Sequence, residues 1–245
     1  VYAQTDATTA ATKTIDIDLE DVISRIQVKF NSTNNGHTPT AHHTAQISKV
    51  EIVDGSDVLF SLSGSELEAR AFLEYRKEPP YFKEFRNDVE NYLVLDLLFG
   101  RKLWDKELAF DPKRFVNPQL KITHNKASGG SAPDAATLEV VADIFDEKSV
   151  SPLGWLMQKE FYTFTSAASN AHEYIDLPND YPIRRILLQT KKDATWWESL
   201  VSNVKISEEN DRKVPLDIPG PDIVQYAASE YGQVREQFVG TAPGI

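Results

Sequence analysis

The chain has 245 residues, of which 41% are hydrophobic and 10% aromatic, enough to build buried cores in one large domain or two ordinary ones. Its net charge of −11, from 26 basic and 37 acidic residues, argues against a broad phosphate-binding surface. The absence of cysteine excludes disulfides, thiolate nucleophiles and cysteine-ligated zinc. No apolar run reaches the roughly 18 residues of a membrane span.

Residues 1–12 are small and polar without periodicity, which predicts an N-terminal arm. Two strands follow, because apolar and polar residues alternate at 14–19 and again at 26–30. The polar loop 31–44 carries three of the five histidines: His37, His42 and His43. Adjacent histidines in an extended loop point to opposite sides, and no nearby carboxylate completes a ligand set, so we expect no metal site there.

Residues 47–75 predict a β-hairpin that runs directly into a short helix. Apolar residues alternate on both sides of the Asp54–Gly55 pair, which is the strongest short-range signal of a hairpin turn. A capping box then predicts a helix start, formed by Ser63 with Glu66 or by Ser65 with Glu68. The helix has one apolar stripe, made of Leu67, Ala71 and Tyr75.

Beyond this helix the pattern predicts strands at 92–99, 117–122 and 137–145. Charge, proline and glycine gather at 146–154, which predicts a boundary between a first domain at 13–148 and a second at 149–245. In the second domain, further strands are predicted at 155–165, 174–177 and 183–190.

The hairpin and helix recur near the C-terminus. One constant offset sets Val58 on Val214 and Tyr75 on Tyr231 without a gap between them. Slightly different offsets pair earlier segments in the same order: Ser48 with Ser202, Ile17 with Ile175, and Arg25 with Arg185. This order favours a duplicated domain, and the alternative is two β-sandwich halves that share only generic strand patterning.

The second copy has no counterpart of the residues that follow the first helix, from 89 to 146. Two explanations remain: either the natural chain continues past residue 245, or another chain completes the second domain. We favour the first explanation.

The sequence contains no serine-nucleophile elbow, phosphate loop, H-E-x-x-H or G-x-G-x-x-G motif. The glycine-rich residues 128–131 lie between two strands and not at a helix start, so they lack the amides that bind phosphate. Trp196 and Trp197 could stack on a sugar, but we favour roles in the core and in a subunit contact. Arg184 and Arg185 are more typical of a strand than of a phosphate clamp. We therefore predict no catalytic, cofactor-binding or metal-binding residues and no enzymatic activity.

Residues 154–192 resemble the double jelly-roll major capsid proteins of a class of viruses. These are tailless, icosahedral, bacteriophage-like viruses that contain double-stranded DNA and enclose a membrane. The sequence of the segment is GWLMQKEFYTFTSAASNAHEYIDLPNDYPIRRILLQTKK. The segment ISKVEIVDGSDVLFSLSG, residues 47–64, resembles the same family's hairpin in its first barrel. The resemblance implies an all-β fold of two tandem jelly-roll β-sandwiches at 13–148 and 149–245, each with a short helix after its fourth strand. On this interpretation, the sequence 149–245 would lack the C-terminal strands of the second jelly roll.

The resemblance also implies a function. The chain would be a major capsid protein whose homotrimers form pseudo-hexagonal capsomers of an icosahedral virion, assembled in the host cytoplasm. Its partners would be other copies of itself, neighbouring capsomers, and penton or membrane-linked virion proteins, and it would lie near an internal viral membrane. It would bind no cofactor and no specific nucleic-acid sequence. Two alternatives remain. One is a carbohydrate-binding or glycan-cleaving β-sandwich that uses Trp196, Trp197 and two acids. The other is a single jelly-roll or spike subunit of a virion, with residues 155–245 as an accessory domain.

Overall fold

The computed structural model describes residues 3–34, 41–76, 83–84, 86, 88–128, 135–166, 171–192, 195, 197–232 and 238–239. The chain divides into two compact units, the first formed by Val1–Phe161 with Val234–Ile245 and the second by Tyr162–Gln233. None of the helices in these described ranges has both the length and the apolar character needed to cross a bilayer.

Within its described residues, the first unit is a β-sandwich with one α-helix, α1 (Gly64–Tyr75), and two short 3-10 helices at His43–Gln46 and Pro112–Arg114. Its strands are β1 (Ala3–Asp6), β2 (Ala11–Asp16), β3 (Ile23–Thr33), β4 (Ile47–Asp54), β5 (Asp57–Leu62), β6 (Lys83–Glu84), β7 (Glu90–Leu98), β8 (Pro118–His124), β9 (Ala136–Ile144) and β10 (Gln158–Lys159).

The strand order identifies the sandwich as a jelly roll. One sheet has the order β1-β9-β3-β7, and the other has the order β2-β8-β4-β5, with β10 added in parallel beside β5. The eight strands of the two main sheets pair antiparallel throughout. Eight strands in two four-stranded sheets with Greek-key connections are the jelly-roll architecture. The predicted all-β jelly-roll fold is therefore confirmed for the first unit.

The core lies between the two sheets because apolar residues alternate along each strand with the period of two that a pleated strand imposes. In β3 the alternate residues Ile26, Val28 and Phe30 are almost fully buried, while the residues between them are partly exposed. The same alternation places β7, β4 and β8 in the core through Leu93, Leu95, Leu97, Val50, Ile52, Leu120 and Ile122.

The predicted hairpin and helix are present. Gly55 has a φ of +60°, a backbone conformation that the turn between β4 and β5 requires and that glycine adopts without strain. The Ser63 hydroxyl accepts from the Glu66 backbone N–H, and the Glu66 side chain accepts from the Ser63 N–H, so the first of the two possible capping boxes forms. Of the predicted stripe, Leu67 is fully buried and packs in the main core.

The prediction that residues 1–12 form an arm is wrong for two segments. β1 pairs along its length with β9, and β2, whose first two residues fall within the predicted arm, pairs with β8. Residues 1–12 show no alternating pattern because they are small and polar, and β1 and β2 are edge strands, which are paired on one side only. Counting β1, the helix α1 follows the fifth strand of the roll, one strand later than predicted.

The second unit contains α2 (Trp197–Leu200), β11 (Asn203–Glu208), β12 (Lys213–Pro219) and α3 (Gly220–Tyr231), with β11 and β12 paired antiparallel. The last strand, β13 (Phe238–Val239), belongs to the first unit and pairs with β6.

The strands predicted at 174–177 and 183–190 are not observed, and of the strand predicted at 155–165 only β10 forms. A strand needs a hydrogen-bonded neighbour, and the described residues provide none for these segments. The units divide at 161/162, whereas the predicted boundary is at 148/149. The difference arises because residues before 161 run along the first sandwich: the Leu156 N–H donates to Phe99 O at 2.7 Å, and the Glu160 N–H donates to Ser61 O at 2.9 Å.

Candidate functional site

Among the described residues, no three histidine or acidic side chains lie close enough to form a metal site. His42 precedes the 3-10 helix, with its Nε2 3.6 Å from Glu68 Oε2 and its Nδ1 2.6 Å from Thr44 Oγ1. His43 is buried, and His37 lies outside the described residues. Glu68 belongs to α1, so the sequence around the histidines gave no sign of this pairing.

The tryptophan and arginine pairs have separate positions. Trp197 is partly buried at the start of α2, and a Cβ added to Gly220 would lie 3.3 Å from Trp197 Cζ3, so its indole packs beside the start of α3. Trp196 lies outside the described residues, as do residues 129–131 of the glycine-rich loop. The Arg185 guanidinium lies 5.3 Å from the centre of the Tyr231 ring. These positions are typical of packing residues.

The most informative feature is a four-part motif that occurs once in each unit. In the first unit the 3-10 helix His43–Gln46, β4, β5 and α1 follow one another along the chain, and in the second unit α2, β11, β12 and α3 do the same. Both α1 and α3 contain 12 residues, and they begin at Gly64 and Gly220, which the sequence repeat pairs.

The same close contact forms at both helix starts. A Cβ at Gly64 would lie 2.8 Å from the Ile47 carbonyl oxygen, and a Cβ at Gly220 would overlap the Val201 carbonyl oxygen. Ile47 and Val201 occupy equivalent places, immediately after the short helix that opens each motif. Only glycine allows a backbone to approach this closely, which accounts for glycine at both positions.

A second pair of positions is also related by the repeat. Burial and the Asp96 carboxylate raise the pKa of Tyr75, and the positive charges of Arg70 and Arg25 oppose this rise. The repeat pairs Arg25 with Arg185 and Tyr75 with Tyr231, and the second pair is in cation–π contact. The glycine–carbonyl contact that α1 and α3 share favours a duplicated unit over two sandwiches with generic strand patterning.

Charged side chains on the outer face of the β1-β9-β3-β7 sheet join three strands. Arg25 of β3 binds Asp143 of β9 at 2.7 Å and Asp96 of β7 at 3.2 Å. Lys29 binds Glu139 at 3.0 Å. Burial lowers the pKa of Arg25, but the two aspartates outweigh it, so its pKa is raised. These bonds connect directly opposed or adjacent strand positions and therefore help to fix the register of the sheet.

A second charged cluster closes the loop after β7. The buried Asp105 carboxylate accepts from Arg101 Nε at 2.7 Å and Nη2 at 3.0 Å, and from the backbone N–H groups of Arg101, Glu107 and Leu108. The hydrogen bonds from Arg101 hold the pKa of Asp105 well below its usual range, although burial opposes them. This cluster is compact and internally satisfied, which is typical of a structural loop.

Two large apolar side chains of the first unit are almost fully exposed: Val116 at 96% and Leu153 at 85%. Their backbones are nevertheless held in place. The Val116 N–H donates to Asp54 Oδ2 at 3.1 Å, and Arg114 donates to the Leu153 carbonyl at 3.2 Å.

No family model and no curated protein matches the chain. Among solved structures, the major capsid protein of STIV has 17% sequence identity and a TM-score of 0.47, with a match that covers 58% of this chain and 46% of that one. The major capsid protein P2 of bacteriophage PM2 has 12% identity and a TM-score of 0.33, with 57% and 50% covered. The PBCV-1 virus capsid model has 12% identity and a TM-score of 0.37, with 58% and 42% covered.

These solved structures are capsid proteins of viruses, the class that the sequence resembles, and each match has a TM-score below 0.5. At these identities the likeness concerns the fold alone. The chain spans half or less of the length of each of these three proteins.

Proposed function

We propose that the chain is a structural major capsid protein of an icosahedral virion. The observation that carries this proposal is the duplicated motif, in which the glycine–carbonyl contact of α1 recurs at α3. A duplicated motif gives one chain two related units, and in this proposal the two units act as similar building blocks of a shell. In the described residues the first sandwich is filled by side chains, and its charged clusters are satisfied internally.

Three such chains around a three-fold axis would present six similar lobes and so form a pseudo-hexagonal capsomer. Closed cyclic symmetry is the usual arrangement of homo-oligomers, and a two-lobed subunit turns three-fold symmetry into an approximate six-fold outline. The exposed Val116 and Leu153 side chains are candidates for contacts within or between capsomers. The partners proposed for the chain are therefore other copies of itself, neighbouring capsomers, and penton or membrane-linked virion proteins.

In this proposal the protein resides in the virion, close to an internal viral membrane, after assembly in the host cytoplasm. It needs neither a cofactor nor an enzymatic activity. Its net charge of −11 fits a shell that does not bind nucleic acid broadly.

Negative-stain electron microscopy of the protein made from its natural reading frame, classified without imposed symmetry, tests this function. We expect trimers of hexagonal outline with six lobes, and abundant peptides of this chain in purified virus particles. Two-lobed monomers that bind glycans would contradict the proposal and support the carbohydrate-binding alternative. Glycan affinity would then be compared between the parent and a Trp197→Ala variant.

A further inference from the structure

His124 is an ionisable residue inside the core of the first unit. It is the last residue of β8 and only 3% exposed, and its ring centre lies 5.8 Å from that of Phe30 in β3. Its strand partners on the two sides of β8 are Ala11 in β2 and Ile47 in β4. The His124 ring therefore lies between the two sheets, near one end of the sandwich.

In the described part of the chain, no group is placed to compensate a positive charge on this ring. The buried Nδ1 atom of His124 has no hydrogen-bond partner, and no carboxylate forms an ion pair with the imidazole. Burial is the cause that lowers the pKa of His124. In a neutral imidazole one nitrogen carries no proton, whereas in the imidazolium both nitrogens are donors. Protonation would therefore add both a charge and an unsatisfied N–H group to the core.

The elements packed around His124 carry other ionisable groups, most of which are exposed or half-buried. Lys49 pairs with Glu51 at 3.4 Å, and His42 faces Glu68 of α1 at 3.6 Å. The remaining groups at this end are Lys13 of β2, Lys29 of β3, Lys121 of β8, Lys126 after β8, and His43 of the 3-10 helix. Only His43 among all of these is buried, so it is the other candidate for an acid-sensitive group.

Hydrogen bonds between uncharged groups close the same end of the sandwich. The Asn125 N–H donates to Gln46 O at 2.8 Å, and the Gln46 amide donates to Lys126 O at 3.1 Å. Gln46 ends the 3-10 helix and immediately precedes Ile47, the strand partner of His124. Bonds between neutral groups are weaker than charge-assisted ones, so this end has less to resist a charge in the core than the Arg25 and Asp105 clusters have elsewhere.

We propose that His124 is an acid-sensitive switch, whose protonation opens this end of the sandwich while the rest of the first unit stays folded. The part that opens comprises the 3-10 helix His43–Gln46, the first residues of β4, the last residues of β8 and residues 125–128. This inference concerns the first unit alone and does not depend on the capsid role.

The switch should act in one direction. In the open state water reaches the imidazole, which then binds a proton near the usual histidine pKa of about 6.5, whereas the buried ring binds it only at lower pH. The closed state is therefore fully stable above this pH. It loses stability as the pH falls below about 6.5, because the open state then binds more protons than the closed state.

Hydrogen exchange at pH 7.5 and pH 5.5, corrected for the intrinsic exchange rate at each pH, tests the proposal. The Asn125 N–H reports on the His124 end. The Ile23 N–H, which donates to Phe110 O at 2.7 Å at the opposite end of the sandwich, is the reference. Uptake of one proton changes an opening constant by at most about tenfold per pH unit, so the protection of Asn125 should fall about fivefold to tenfold at pH 5.5. The protection of Ile23 should stay the same.

Three histidine variants identify the group responsible. His124→Gln keeps a polar side chain but cannot be protonated, so the fall in protection at Asn125 should disappear. The matched controls are His43→Gln, at the other buried histidine of this end, and His172→Gln, at an exposed histidine of the second unit. Both controls should keep the fall.

The ring itself gives a readout in the unmodified protein. In a titration followed by NMR, the His124 ring of the folded protein should titrate at a lower pH than the histidines of the urea-unfolded chain, which titrate near pH 6.5. Together with the comparison of Asn125 and Ile23, this measurement decides the proposal even if His124→Gln does not fold.

A fall at Asn125 that persists in His124→Gln or disappears in His43→Gln would overturn the proposal. An equal fall at Ile23 would do the same, because it would show acid unfolding of the whole unit. So would unchanged protection at Asn125, or a His124 ring that titrates like the unfolded chain. None of these results involves trimers, so this proposal and the capsid function can fail independently.

Discussion

Replacement of Asp105 by asparagine should destabilise the first unit, because the loop after β7 closes around this one carboxylate. Asp105 is only 4% exposed and accepts from the Arg101 side chain and from three backbone N–H groups. An asparagine side chain keeps the volume but loses the charge, and its NH2 group turns a donor toward other donors. A buried donor left without an acceptor costs about 1–3 kcal/mol, so we expect a loss of about 2 kcal/mol in the free energy of unfolding at pH 7.

The effect should depend on pH in a defined direction. The folded-state pKa of Asp105 is lowered, so its contribution to stability is complete above the unfolded-state pKa of about 3.9 and decreases as the pH falls toward the folded-state value. The difference in unfolding free energy between parent and Asp105→Asn should therefore be constant from about pH 7 to pH 5 and shrink below about pH 4.

Urea unfolding at pH 7, 5 and 3.5 measures this difference. The dependence of the unfolding free energy on urea concentration is compared between variants, so that a change in stability can be told from a change in the unfolded state. Glu107→Gln is the matched control, because Glu107 also binds Arg101 but its side chain is 66% exposed, and an exposed ion pair contributes little. If Asp105→Asn were as stable as the parent at pH 7, or if the difference persisted unchanged at pH 3.5, the carboxylate would not organise the loop.

Two further variants test the sheet and the helix start. Arg25→Met should lower the free energy of unfolding, measured in urea, by about 3 kcal/mol, because it leaves two largely buried aspartates of neighbouring strands without their shared cation. A second replacement in the same protein, Asp143→Asn, should recover part of this loss. If the single variant were as stable as the parent, the cluster would not help to fix the register. Gly64→Ala should lower the free energy of unfolding by about 1–3 kcal/mol, because the added Cβ would lie 2.5 Å from the Thr44 carbonyl oxygen. Gly154→Ala, where no atom lies within 4 Å, should change it little, and equal effects of the two alanines would refute the close contact.

The features that could be predicted from the sequence are those whose causes lie within a few residues. The turn at Gly55 and the capping box of Ser63 with Glu66 depend on neighbours in the chain, and both are present. β1 could not be predicted, because its pairing with β9 depends on residues far along the chain and leaves no alternation in its own sequence.

The charged clusters show the same limit. Arg25 binds Asp96 and Asp143, which belong to two other strands, and His42 faces Glu68 from a helix. No local spacing marks such groups, because strand order brings them together. By contrast, the duplication could be recognised from sequence, since it compares two parts of one chain, and the shared contacts of Gly64 and Gly220 give it a physical basis.

Residues 183–190 show why a correct pattern can coexist with an absent strand. Alternation and β-branched content measure how well a segment would fit a sheet, whereas strand formation also requires a neighbour. In a jelly roll, the neighbours of the third strand are the last strand and the one after the helix, so its pairing is among the most distant in the chain. The repeat aligns the segment with β3, and the Arg185 guanidinium lies 5.3 Å from the centre of the Tyr231 ring, yet Leu188 remains half exposed. The disagreement between sequence and structure therefore falls on segments that would need a distant partner strand, whereas the hairpin β11-β12, whose two strands are neighbours in the chain, is formed.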